Sequence, residues 1–142
     1  MNEHITLSKL LLAGIGAGVI SIFTSWLITG VLFHRFQRTT PATWREEGPL
    51  QYALSSVLAV VGGIGMALLF AATGGVSSIW ASSWAARGVL FGFLVWVATA
   101  LPMLLTTATF VNLHRGVVTG LLLDALAALV LIGFACAWAS NG

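Results

Sequence analysis

Charge is what this sequence has least of. Only 7% of its 142 residues are Asp, Glu, Lys or Arg, against roughly a quarter in a typical soluble domain. That scarcity excludes a water-soluble fold, whose surface could not stay hydrated. The acidic residues are Glu3, Glu46, Glu47 and Asp124. Cysteine is limited to Cys136, so no intramolecular disulfide can form, and its apolar flanks point to packing rather than reactivity. There is no CxxC, no HExxH and no Cys/His tract, which leaves a structural zinc site without ligands. Phosphate-binding and dinucleotide glycine fingerprints are absent as well. The sequence calls for no metal and no cofactor, and it predicts a protein that is not an enzyme.

What is present is apolar length. Hydrophobic residues make up 58% of the chain and its mean hydropathy is +1.01. A membrane-spanning helix needs about 20 mainly apolar residues, and four such stretches follow one another with short joints between them. They fall near residues 7–33, 50–73, 85–111 and 116–139. The runs are continuously apolar, whereas barrel strands alternate over about ten residues, so helices are expected. The first run exceeds the roughly 7 to 15 residues of a signal-peptide core, and Glu3 stands where a leader would be basic. It is expected to stay as a helix. The predicted fold is all-α, an integral membrane antiparallel four-helix bundle forming one domain over residues 1–142.

The few basic residues then suggest an orientation. Arg35, Arg38, Arg45 and Arg115 lie in the first and third joints, while Lys9 and Arg87 belong to the opposite side. Basic flanks stay cytoplasmic, so the expected arrangement in a bacterial cytoplasmic membrane puts the first and third joints inside and both termini outside. Trp80 and Trp84 in the second joint suit the outer interface. The net charge of +2 comes from these flanks, so a nucleic-acid partner is not expected. Membrane lipids are, because a basic residue near the surface gains around 1 kcal/mol with anionic headgroups.

Sixteen glycines are spread through the chain. Gly14 and Gly18 form a GxxxG in the first helix, and Gly62, Gly63 and Gly65 cluster in the second; small residues let helix backbones approach closely in lipid. The expected use is inside the bundle, with dimerisation as the alternative. Pro102 sits mid-way along the third helix, where it frees the Ala98 carbonyl and predicts a kink. Thr99, Thr106, Thr107 and Thr109 around it can bond back to the freed backbone.

Asp124 is the one acidic residue inside a span. A charge at that depth costs a few kcal/mol, so it faces protein or water and marks a candidate site. The third and fourth helices form a hairpin through residues 112–115, which sets Asp124 about 12 to 15 Å inside the basic end and level with the stretch 103–107. Ser21, Thr24 and Ser25 of the first helix fall at a similar depth, with Ser55 and Ser56 nearer the surface. A polar layer of Asp124, Thr24, Ser25, Thr106 and Thr107 is therefore predicted. Gly120 and Ala128 extend the same stripe of the fourth helix and predict contact with a neighbour. Two roles fit this layer: a hydrogen-bonded clasp holding helices in register, or a proton or cation site.

A second constellation repeats at two helix ends, His34-Arg35 and His114-Arg115. With Arg38 these residues form a candidate interfacial patch for anionic lipid, or, less simply, histidine ligands for haem or a quinone site. The first joint, between Pro41 and Pro49, spaces Thr43 and Glu46 as a capping box and predicts a short interfacial helix carrying Trp44. The run Trp26-Leu-Ile-Thr-Gly30-Val-Leu-Phe33, with four short-looped helices overall, resembles the small four-helix bacterial membrane proteins grouped as a family of unknown function. That resemblance implies the bundle and no activity. The function expected from the residues is a packing, accessory or self-associating membrane component, working as a homo-oligomer or with partner membrane subunits. The alternatives are a small proton or cation channel or transporter built on Asp124, and a haem- or quinone-binding redox protein.

Overall fold

The computed structural model describes residues 7–39, 41–43, 48–75 and 82–141. Helix α1, Leu7–Ser25, continues without a break into a π-helix at Trp26–Leu32, and a single turn, α2, follows at His34–Gln37. After a short 3-10 turn at Pro41–Thr43 come α3 (Pro49–Thr73), α4 (Trp84–Ala98), α5 (Ala100–Phe110) and α6 (Arg115–Asn141). Four spans are long and apolar enough to cross a membrane: Leu7–Leu32, Pro49–Thr73, Trp84–Phe110 and Arg115–Asn141. This is an all-α, polytopic four-helix membrane bundle. In hydrocarbon every backbone polar group must be satisfied within its segment, and helices are how continuous apolar runs achieve it.

Local chemistry sets where the helices begin and end. Pro49 opens α3 behind an extended Gly48, a position where its missing N–H costs nothing. The same helix stops at Gly74, which takes φ +65° and returns its N–H to the last turn. Ser83 caps α4 by accepting the Ala86 N–H at 3.2 Å. The third span breaks where Pro102 requires it. Thr99 (φ −124°, ψ −71°) separates α4 from α5, and its hydroxyl donates to the Val95 carbonyl at 2.7 Å.

Glycine contacts fix the packing. A Cβ on Gly14 would strike the Gly63 carbonyl and one on Gly63 would strike that of Gly14, while a Cβ on Gly18 would come within 2.8 Å of the Ala59 carbonyl. These contacts cross α1 against an antiparallel α3. Gly88 and Gly92 of α4 meet Gly133 and Leu129 of α6 in the same way, a second GxxxG seam. A third, Gly116 and Gly120 of α6, receives the rings of Phe36 and Phe33. The first seam meets the expectation of intramolecular use. The spans therefore run α3, α1, α6, α4 across the molecule, with α1 and α6 at its centre.

The bundle is closed at one end only. Its core joins Leu10 of α1, Met66 and Phe70 of α3, Phe91 of α4 and Cys136 of α6, all in the halves of the spans nearer the termini. Phe70 and Phe91 meet edge to face at 5.0 Å, linking the outer helices there. Towards the other face α6 keeps contact with the π-helical extension of α1, with α2 and with α5. Helix α5 buries no residue, and the buried residues of α3 begin at Gly63. Past the break at Thr99, α5 packs against α6 without burying a residue.

Candidate functional site

Ser25, the last residue of α1, donates its hydroxyl to Asp124 Oδ1 of α6 at 2.7 Å. Both side chains are half-buried. Asp124 Oδ2 has no hydrogen-bond partner among the described residues. Two residues earlier on α6, the Leu122 carbonyl accepts the Trp96 indole N–H of α4 at 3.0 Å. Among the described residues, these two are the side-chain hydrogen bonds that join one span to another. They hold α6 to α1 on one side and to α4 on the other, close to mid-membrane.

The backbone beside Ser25 is unusual. From Trp26 to Leu32 the chain forms π-helical turns, and Phe33 N–H closes the last of them on the Ile28 carbonyl at 3.0 Å. The Thr29 hydroxyl donates to the Ser25 carbonyl at 2.7 Å, supplying a bond to a group in the widened segment. Short π segments recur at functional sites. The wider turns carry Phe33 onto Gly120, which lies one turn before Asp124. Gly120 thus faces the first span, as the small-residue stripe predicts.

The rest of the expected polar layer is not assembled. Thr24 donates to the Ser21 carbonyl at 3.0 Å and Thr107 to that of Met103 at 2.9 Å, each within its own helix. Thr106 and Thr107 are exposed on α5, and Ser55 and Ser56 both donate to the Tyr52 carbonyl. Depth was shared, but direction was not. The layer narrows to Ser25 and Asp124, because a hydroxyl three or four residues past a carbonyl reaches it more readily than a neighbouring helix.

At the other constellation the organiser is Phe36. The His114 ring stacks on it with centroids 5.0 Å apart and planes at 9°, and the Arg35 guanidinium lies 4.7 Å from its centroid. His114 Nδ1 accepts the Gly116 N–H at 3.0 Å, so this ring caps the start of α6. His34 Nδ1 stands 3.1 Å from Gln37 Oε1. Each histidine already has one ring nitrogen engaged. Arg38 and Arg115 are exposed on this face, while Arg45, Trp44 and Glu46 of the expected capping box lie outside the described residues, as does Trp80. Among the described residues no group of three or more His, Cys, Asp or Glu side chains is placed to hold a metal ion.

No family model, curated protein or solved structure matches this chain. Its site is therefore argued from its own geometry, and the resemblance of the Trp26–Phe33 run transfers no residue role. The sequence reading missed the π segment, the Trp96 bond and the Phe36 stack. Only the Gly88-to-Gly92 and Gly116-to-Gly120 spacings carried a legible signal for the contacts that frame them.

Proposed function

We propose that this small polytopic membrane protein is non-catalytic and acts by lateral association, with a second copy or with partner membrane subunits, through the face that α5 presents. The observation that carries this reading is the open half of the bundle. No residue of α5 is fully buried, and Thr106, Thr107 and Thr109 are exposed along it, with Thr99 at its head. Thr99, Thr107 and Thr109 donate to carbonyls of their own span, and their hydroxyl oxygens remain as acceptors for a partner helix. In this reading Ser25 and Asp124 clasp the central pair α1 and α6, and the basic face carrying Arg35, Arg38 and Arg115 rests on anionic headgroups, in the cytoplasmic leaflet if the positive-inside rule is followed.

The test is co-purification of tagged protein from native membranes, joined to energy transfer between labelled copies in liposomes. Replacing Thr106, Thr107 and Thr109 together by Leu removes hydroxyls without filling the core, and is expected to abolish the companion band or the transfer signal. Asp124→Asn is expected to preserve both. Association that survives the triple replacement and disappears in Asp124→Asn would contradict the proposal.

A second reading has its own support. A half-buried carboxylate with one unpartnered oxygen beside a π-helical segment suits a proton or small-cation site. Proteoliposomes distinguish it: proton or cation flux above that of protein-free vesicles, lost in Asp124→Asn, would transfer the function to Asp124.

A further inference from the structure

On the terminal side of the bundle, a groove of about 850 Å³ opens between α1 and α6, a size typical of ligand sites. Gly16 forms part of its floor, Phe134 and Trp138 line its α6 side, and Lys9 lies at its outer end. A Cβ added to Gly16 would meet nothing within 4 Å, so the space above the floor is not filled by protein. Trp84, also lining the groove, is held against Phe134 with ring centroids 5.1 Å apart. Trp138 is 65% exposed.

Two features decide what fits. Helix rise from Lys9 to Ile20, the innermost lining residue on α1, covers about 16 Å, and one leaflet of hydrocarbon is half of ~30 Å. The groove thus runs from headgroup level to the bilayer centre. Lys9 is exposed, makes no ion pair among the described residues and shares the groove with no acidic side chain. An acyl chain matches the floor; a negative headgroup matches the mouth. We propose that this groove binds an anionic phospholipid of the leaflet on the terminal side, with Lys9 selecting the headgroup and the bare Gly16 surface seating the chain. The site is separate from the Ser25 and Asp124 clasp and from the α5 face, so it stands or falls independently of the proposed function.

Native mass spectrometry of protein released from nanodiscs of equimolar phosphatidylglycerol and phosphatidylcholine tests it. The wild type is expected to retain phosphatidylglycerol about fivefold over phosphatidylcholine, the equivalent of ~1 kcal/mol for one basic residue near the surface. Lys9→Gln is expected to lower that preference, leaving only what the basic face of Arg35, Arg38 and Arg115 retains. Gly16→Leu fills the floor from a position with no protein neighbour and is expected to lower retention of both lipids. Parity in the wild type, or an undiminished preference in Lys9→Gln, would overturn the site. So would a Gly16→Leu variant that keeps its lipid but loses a dimer, because the groove would then seat a second copy.

Discussion

Ser25 and Asp124 differ in what their loss leaves behind. Removing the Ser25 hydroxyl strips the half-buried Asp124 of the donor 2.7 Å away, and an orphaned acceptor costs about 1 to 3 kcal/mol. Asp124→Asn keeps an oxygen that Ser25 can still donate to. Ser25→Ala is therefore expected to destabilise the bundle by about 1 to 2 kcal/mol and Asp124→Asn by less than ~0.5 kcal/mol, given that interhelical hydrogen bonds in membranes average ~0.6 kcal/mol. Detergent unfolding followed by helicity ranks them; the reverse order would remove the clasp. Asp124 was legible in the sequence because an acid inside an apolar run stands out. Ser25 was legible as one of several hydroxyls at the same depth. Thr106 and Thr107 do not join them because residue counting gives height along a helix and not the direction a side chain faces, and both are exposed on α5.

Elements cross where glycine lets them. Gly14 against Gly63 and Gly88 against Gly133 bring carbonyls into the space a side chain would need, so Gly63→Val and Gly133→Val are expected to cost at least the 1 to 3 kcal/mol typical of overpacking. Gly62→Ala and Gly65→Ala meet no atom within 4 Å and are expected to be neutral or to stabilise α3 by up to ~1 kcal/mol through helix propensity. Thermal unfolding in detergent separates the two classes, and equal losses in both would contradict the assigned crossings. GxxxG spacing revealed which glycines were available for close contact. It separated Gly14 and Gly18, which face α3, from Gly16, which faces the groove, but gave no sign that Gly63, rather than Gly62 or Gly65, would face α1. The π-helix at Trp26–Leu32 left no spacing signal, and it ends just before Phe33 and Phe36 seat on Gly120 and Gly116.

At the scale of the molecule, four apolar runs were enough to foresee four spans, because hydrocarbon leaves the backbone few alternatives. The half-open form was not foreseeable in that way. Lipid solvates an apolar helix face as well as another helix does, so hydropathy is the same for a span that packs and one that splays. What separates them here is the placement of small residues and of Pro102: two glycine seams bring the terminal halves together, and past the break beside the proline α5 buries no residue. That asymmetry leads to the central claim, that the α5 face is completed by another protein. A benzophenone side chain introduced at Thr106, and in parallel at Leu69, which is 42% exposed on the closed half, tests it by photo-cross-linking in native membranes. The account predicts a protein adduct of defined mass from position 106 and only lipid adducts from position 69. Lipid adducts alone from both positions would contradict it.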